Sequence, residues 1–214
     1  MRITFHAGAL AVGLALLAAP SGSARGATVL RLSFEELTDR SDAVVRGRVV
    51  GSTPKMNAAA GRISTFTEVQ VIEAIKGAPG KRITVRQPGG EVGGIGQAVE
   101  GAARFAPGEE VVLFLQRAPD DATVFHVLSM SAGKVRLEKK RDALRAVRDL
   151  DGIAFVDPAP SRPAAPSPNK VQVVSSEDLG DANQFLGRVR GAAAHRATPA
   201  TPAPAAPAKK EAKP

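Results

Sequence analysis

The sequence contains no cysteine, tryptophan or tyrosine, and phenylalanine, at eight positions, is its only aromatic residue. Without cysteine the chain cannot form the disulfides on which many small exported domains rely, and it has no residue to carry a lipoprotein's lipid. It has three histidines, of which only His126 and His195 lie beyond the first 24 residues. A zinc site needs three or four converging ligands, usually cysteine and histidine. The composition therefore argues against a zinc centre, and we predict no cofactor.

Long hydrophobic runs are also missing, and the most apolar segment has the layout of a secretory signal peptide. A positive start precedes an apolar run at 9–19, which a proline ends and small residues follow. The run is shorter than the ~20 apolar residues that cross a bilayer. We expect residues 1–24 to be a signal peptide cleaved at Ala24, with Ser23 and Ala27 as neighbouring positions and an uncleaved anchor as the alternative. We predict no transmembrane segment, and a periplasmic or extracellular, bacterial protein.

The net charge is +8, but its basic residues are spread along the chain. Residues 25–157 hold 20 Lys/Arg and 17 Asp/Glu, and residues 158–214 hold 8 and 4. A nucleic-acid surface needs basic groups clustered on one face, usually with aromatic residues for stacking. We therefore expect no nucleic-acid partner, and we attribute the surplus to solubility or to contact with acidic cell-surface polymers.

Short strands and Gly/Pro turns dominate residues 28–157. Ser33 and Glu36 form a capping box, which predicts a helix over 33–41. The stripe of Ala143, Leu144, Val147 and Leu150 predicts a second helix over 139–150. Six strands are predicted from apolar patterns, at 43–50, 65–75, 81–87, 111–116, 122–130 and 133–138. The continuous run VVLFLQ is typical of a strand buried on both faces. The pattern favours a small barrel or sandwich.

Beyond residue 157 the composition becomes rich in proline and alanine. Residues 158–174 are predicted to be a linker, 175–194 an amphipathic helix with a serine cap, and 195–214 a disordered Pro/Ala/Lys tail. The helix could offer apolar side chains to a partner, or it could pack against its own domain. The side chains in question are Leu179, Phe185, Leu186 and Val189.

The most distinctive motif is PGGEVGGIG at 88–96. It lacks the Gly-Lys-Ser/Thr of a Walker loop and the third glycine of a dinucleotide fingerprint. We interpret it as a mobile or tightly turning loop in which glycine permits positive φ. A partner-contact site at one end of the barrel is the functional alternative. Its candidate residues are Gly89, Gly90, Gly93, Gly94 and Gly96, with the polar groups Arg86, Gln87, Gln97 and Arg104.

Catalytic and metal-binding patterns are weak. Ser129 and Ser131 lie near His126, but no G-x-S-x-G is present and strand alternation places Ser129 opposite His126. Asp120 and Asp121 are the best oxygen pair for calcium, although a polar hairpin tip is the commoner reading of such a pair. We assign no catalytic residue and no metal ligand.

A family resemblance is carried by four core stretches: SDAVVRGRVV, TFTEVQVIEAIKG, KRITVRQPGG and RFAPGEEVVLFL. Residues 42–50, 65–77 and 105–115 match, in order, a first strand, an amphipathic strand ending in Lys-Gly, and a later apolar strand after Gly-Glu. This order resembles the netrin-like, or tissue-inhibitor-of-metalloproteinase-like, modules. The resemblance implies a five-stranded oligonucleotide/oligosaccharide-binding (OB) type barrel. The family's metalloproteinase inhibitors chelate zinc through an N-terminal cysteine, which this chain lacks, so neither that mechanism nor any site residue is carried over.

Pattern and resemblance together predict a mainly β fold: a small five- to six-stranded OB-like barrel over 28–157 with flanking short helices and a disordered Pro/Ala-rich C-terminal tail. With no catalytic constellation, we expect a non-catalytic exported module that binds a protein or glycan partner in the envelope or outside the cell. One alternative is an envelope-polymer hydrolase using a carboxylate pair among Glu68, Glu73 and Glu91. The other is a structural protein that tethers itself to acidic surfaces through its tail.

Overall fold

The computed structural model describes residues 26–58, 60–156, 172–173 and 175–197. The predicted signal peptide with Ala24, nearly all of the predicted linker and residues 198–214 of the predicted tail lie outside the described residues. Among the described residues, no helix has both the length and the apolar character needed to cross a membrane.

The protein is mainly β, with thirteen strands, two α-helices and one short 3₁₀-helix at Met130–Gly133 among the described residues. The helices are α1 (Phe34–Arg40) and α2 (Ala182–Ala197). The strands are β1 (Ala27–Leu30), β2 (Ala43–Asn57), β3 (Arg62–Lys76), β4 (Arg82–Pro88), β5 (Gly90–Val92), β6 (Ile95–Gln97), β7 (Glu110–Ala118), β8 (Asp121–Val127), β9 (Lys134–Lys140), β10 (Ala143–Asp149), β11 (Ile153–Val156), β12 (Gln172–Val173) and β13 (Ser176–Asp181).

Eight of the strands form one large sheet in the order β13-β10-β9-β7-β2-β3-β4-β8. Strand β8 also pairs with β7, antiparallel, and its pairing with β4 is parallel. The other pairs in this sheet are antiparallel. Two small sheets accompany it, one of β1, β11 and β12 and one formed by the β5–β6 hairpin.

The large sheet is covered on both faces, as the predicted doubly buried strand requires. In β7, Val112 and Phe114 pack into a cluster that includes both helices. The alternating Val111, Leu113 and Leu115 pack into a second cluster on the opposite side. All five side chains are fully buried, and each contributes about 1.5–3 kcal/mol by leaving water. The sequence-based prediction for this strand is therefore confirmed.

Side-chain hydrogen bonds satisfy backbone groups at both ends of helix α1. Ser33 and Glu36 form the predicted capping box, with the Glu36 N–H donating to Ser33 Oγ at 3.1 Å and the Ser33 N–H donating to Glu36 Oε2 at 2.8 Å. At the other end, Lys76 Nζ donates to the carbonyls of Thr38, Asp39 and Ser41. A cation at these carbonyls complements the helix dipole and fixes α1 against β3.

The predicted helix over 139–150 is wrong, because this segment forms the β9–β10 hairpin. Lys140 pairs with Ala143 across a two-residue turn in which Arg141 has φ of 56°. Leu144, Ala146 and Leu150 fit the alternation of a strand, whereas Leu144 and Leu150 also belong to the predicted helical stripe with Ala143 and Val147, so the pattern fitted both structures. Pairing with β9 on one side and β13 on the other favours the strand.

The predicted helix over 175–194 is wrong in its first part. Residues 176–181 form β13, which pairs with β10. The helix begins instead after Asp181, whose Oδ1 accepts hydrogen bonds from the backbone N–H groups of Asn183 and Gln184 at 2.9 and 3.0 Å. An aspartate in this position is a strong N-cap, and it replaces the serine cap expected from the sequence.

Candidate ligand-binding cleft

A cleft of 560 Å³ lies between the large sheet and the glycine-rich segment. Its floor comes from Ser52 of β2, Thr65 and Thr67 of β3, and Gln87 of β4, and its walls come from the β5–β6 hairpin and residues 98–105. We call it the hairpin cleft. Its volume falls within the range of about 300–1,000 Å³ that is usual for small-molecule sites.

The glycine-rich segment is a tight β-hairpin. Gly93 and Gly94, with φ of 59° and 78°, form a two-residue turn that pairs Val92 with Ile95. Such turns need positive φ at both central positions, which only glycine adopts without strain. Glycine permits positive φ at 89 and 90 as well, which confirms the reading of the motif as a tight turn.

Gly90 brings the base of this hairpin against β3. A side-chain carbon at Gly90 would lie 2.5 Å from Thr65 Oγ1. The Thr65 hydroxyl donates to the Gly89 carbonyl at 2.8 Å, and the Ile63 N–H donates to Gln97 Oε1 at 2.7 Å. The chain is thus bonded to β3 at both ends of the hairpin, and the hairpin forms a wall of the cleft.

The floor of the cleft carries a hydrogen-bonded chain of polar side chains. The hydroxyls of Ser52 and Thr67 lie 2.8 Å apart, and Thr67 Oγ1 donates to Gln87 Oε1 at 3.3 Å. Gln87 is only 5% exposed, and its Nε2 has no hydrogen-bond partner among the described residues. A buried unpaired donor costs about 1–3 kcal/mol, so an acceptor oxygen from a ligand or from water would stabilise this amide.

The wall formed by residues 98–105 is anchored by a buried ion pair. Lys134 Nζ lies 2.8 Å from Glu109 Oε1, donates to the Arg104 carbonyl, and sits 4.7 Å from the centre of the Phe105 ring. Burial lowers the pKa of Lys134 below its ordinary value, against the opposing effect of Glu109. Arg104 and Phe105 both line the cleft, so these contacts position its wall.

The structure separates the residues predicted from the glycine motif into two groups. Gly89, Gly90 and Gly96 line the cleft together with the polar groups Gln87, Gln97 and Arg104. Gly93 and Gly94 lie at the tip of the hairpin and do not line it. Arg86 lies on the other face of β4, because alternate side chains of a strand point to opposite faces.

Arg86 belongs to a different polar cluster. Its guanidinium donates to both carboxylate oxygens of Asp120 at 2.8 and 2.6 Å and lies 3.1 Å from His126 Nε2. The hydrogen bonds from Arg86 lower the pKa of Asp120 to about 2, and Asp120 raises the pKa of Arg86. Asp121 accepts from the N–H and hydroxyl of Thr123. Both aspartates are therefore engaged at a hairpin tip.

The apolar side chains offered as partner contacts lie inside the protein. Phe185, Leu186 and Val189 are fully buried in the cluster that includes both helices together with Val112 and Phe114 of β7. Leu179 packs against the same cluster. The Phe185 ring meets the Phe34 ring edge to face, with centroids 5.0 Å apart. The helix therefore packs against its own domain, which was the other alternative.

The acidic residues considered for hydrolysis have separate partners. Glu68 accepts from Arg82 at 2.6 Å, and Glu73 accepts from Arg190 at 2.7 and 2.8 Å. Only Glu91 lines the cleft. Across the part of the chain that the structure describes, no three His, Cys, Asp or Glu side chains are grouped to hold a metal ion.

Ser52, Thr65 and Thr67 also line the cleft, although they were not predicted from the sequence. A signal for the last two was present in the alternation of β3 and β4. On the buried face of β3 and β4, Val69 pairs with Ile83, and both are apolar. Further along the same face Thr65 pairs with Gln87, and both are polar. Because buried polar side chains need hydrogen-bond partners, polar residues at paired positions on a buried face indicate a cavity that polar groups line.

A comparison of the chain with protein-family models and with curated proteins finds no match.

Proposed function

We propose that the protein is an exported, non-catalytic module that binds a glycan in the hairpin cleft. The observation that carries this proposal is the buried side chain of Gln87, a residue that lines the cleft and whose Nε2 has no hydrogen-bond partner among the described residues. A polar side chain is rarely buried without a partner. A ligand oxygen placed in the cleft would supply the missing acceptor.

A glycan fits the cleft better than a protein surface does. The site is concave, and hydroxyl and amide side chains form its floor while Phe105 contributes an aromatic ring to its wall. Sugars present hydroxyl oxygens for such groups and an apolar ring face for an aromatic side chain. A protein partner would call for a flatter surface with exposed aromatic or arginine anchors. The buried face of α2 offers no such anchor.

We propose that the domain around the cleft is an OB-like barrel related to netrin-like modules. The pairings β7–β2, β2–β3, β3–β4, β4–β8 and β8–β7 form a cycle of five strands, which supports closure. Three register shifts in the β2–β3 pair and the close approach at Gly47 would bend the strands. The helices α1 and α2 flank the sheet, in keeping with the resemblance.

The direct test is binding of neutral oligosaccharides to the protein purified after export of the full chain. Saturation-transfer NMR and calorimetry with cello-, chito- and xylo-oligosaccharides would report contact and affinity. Gln87→Leu removes the unpaired donor at nearly constant volume and should weaken binding about tenfold or more. N-terminal sequencing of the same sample should find cleavage at Ala24 if export proceeds as proposed.

Gln70→Leu is the matched control. Gln70 lies on β3, is exposed, and does not line the cleft. Equal affinity of this variant and the unaltered protein, with a loss only in Gln87→Leu, places the sugar in the cleft. Binding that is indifferent to both substitutions would reject the cleft as the site, and absence of binding across the panel would reject a neutral glycan as the ligand.

A further inference from the structure

The polar groups that remain available in the hairpin cleft are mainly donors. The backbone N–H of Ile63 can only donate, so Gln97 Oε1 is occupied and this side chain keeps its amide N–H groups for a ligand. Gln87 Oε1 accepts from Thr67, so the Nε2 group of Gln87 is also left without an acceptor among the described residues. Two glutamines thus bring donors to one cleft, Gln87 from its floor and Gln97 from its hairpin wall.

Arg104 adds a positive charge to these donors. Arg104 is exposed and lines both the hairpin cleft and a smaller neighbouring cavity that includes acidic residues. Its guanidinium forms no ion pair with any residue that the structure describes. The Arg104 carbonyl is held by Lys134 and its neighbour Phe105 packs near that ammonium, so the backbone at this position is fixed. A guanidinium with five donors and no partner favours a planar anionic acceptor.

From this inventory we infer that the glycan bound in the cleft carries a carboxylate, as a uronic acid does. The inference rests on the proposed glycan function and names its substrate class. A carboxylate accepts hydrogen bonds only, which matches two amide donors, and its charge matches Arg104. A neutral sugar hydroxyl would bring a donor that finds fewer acceptors in this cleft.

Among the residues that the structure describes, Glu91 is the one carboxylate that lines the cleft, and its removal gives a second test of the inference. It is exposed on β5 and makes no ion pair with another described residue. Its charge repels an acidic ligand and is screened by solvent and salt. Removing this charge should therefore strengthen binding of a uronate and leave binding of the neutral ester unchanged.

Methyl esterification gives a probe pair that differs in charge and by one methyl group at each carboxyl. Tetramers of galacturonate, mannuronate and glucuronate would each be titrated into the exported protein as the free acid and as the methyl ester, at low and high salt. We expect at least one free acid to bind about tenfold more tightly than its ester at low salt. Arg104→Gln should abolish this preference, and Glu91→Gln should increase it a few-fold.

Lys139→Gln controls for the change in net charge, because it removes one positive charge from the β9–β10 hairpin, outside the cleft. A preference that Lys139→Gln abolishes as fully as Arg104→Gln does would overturn the inference. So would equal affinities for acid and ester with Gln87→Leu weakening both, a result that leaves the glycan function standing. Failure of every acid, ester and neutral oligosaccharide to bind would overturn the glycan function as well.

Discussion

The Lys134 ammonium lies 2.8 Å from the Glu109 carboxylate, at a site where the two side chains are only 10% and 9% exposed. Glu109 Oε2 also accepts from the Ala106 N–H, and Lys134 also donates to the Arg104 carbonyl. The pair therefore joins β9 to residues 104–109, of which Arg104 and Phe105 line the cleft. Removing one partner leaves a buried charge without its counter-ion, which is costly.

Lys134→Met should lower the free energy of unfolding by about 3–5 kcal/mol, because Glu109 would remain buried and unpaired. The double variant Lys134→Met with Glu109→Leu should recover most of this loss. Urea denaturation followed by far-UV circular dichroism suits a chain without tryptophan or tyrosine. The exposed Lys139→Met should change stability by about 0.5 kcal/mol or less. A Lys134→Met variant as stable as Lys139→Met would contradict the assignment of a buried ion pair.

The buried position of Phe185 leads to a second prediction. Phe185→Ala should lower the free energy of unfolding by about 3–5 kcal/mol, because it removes a fully buried ring and the contact with Phe34. The neighbouring Gln184 is exposed, and Gln184→Ala should have little effect. Thermal and urea denaturation would compare the two variants. Equal stability would mean that α2 does not cover the sheet and that its apolar face is free for a partner.

Several elements could be predicted from the sequence because one local pattern determined each of them. The capping box of α1 depends on residues three apart, and the burial of β7 depends on an uninterrupted apolar run. The segment 139–150 was ambiguous because its apolar residues satisfy periods of both 2 and 3.6. Pairing with β9 and with the distant β13 selects the strand, and local periodicity does not contain that information.

The cleft was predicted in part, through the glycines and the polar residues beside them. Gln87, Gln97 and Arg104 do come together, whereas Arg86, next to Gln87 in sequence, points to the other side of β4. Strand alternation could have separated Arg86 from Gln87. The contribution of Ser52 could not be predicted, because it depends on the hydrogen bond that Ser52 forms with Thr67 of β3 across the sheet.

The Arg86–Asp120 pair predicts a specific response to acid. The pKa of Asp120 falls from its ordinary 3.8 to about 2, chiefly through the hydrogen bonds from Arg86. A carboxyl whose folded-state pKa is depressed binds fewer protons in the folded state than in the unfolded state. Its contribution to stability is therefore complete above pH 3.8 and is lost as the pH falls through about 2.

Asp120→Asn should consequently melt at a lower temperature than the unaltered protein near neutral pH. The two melting temperatures should converge as the pH approaches about 2, where Asp120 becomes protonated. Asp142→Asn, an exposed change in the β9–β10 turn, is the control for loss of one negative charge. NMR titration of the Asp120 side-chain carboxyl would measure the pKa itself, and a midpoint near the ordinary value would refute the pairing with Arg86.

Two glycines that both line the hairpin cleft should respond differently to alanine. Gly90 has φ of 134°, and an added carbon there would lie 2.5 Å from Thr65 Oγ1 and 3.0 Å from Pro54 Cβ. Gly90→Ala should therefore lower the free energy of unfolding by more than about 1 kcal/mol and displace the base of the hairpin from β3. Gly96 has no positive φ, and an added carbon would meet no atom within 4 Å.

Gly96→Ala should accordingly change stability by about 0.5 kcal/mol or less and leave the cleft in place. Urea denaturation would compare the two variants, and amide chemical shifts of Ile63 and Gly89 would report on the hydrogen bonds that fix the hairpin to β3. Because both positions line the same cleft, a difference between them reflects the close approach at Gly90 and not the loss of a glycine from the motif. Equal effects of the two substitutions would show that the hairpin does not lie against β3 as described, and the wall of the cleft would then lose its structural basis.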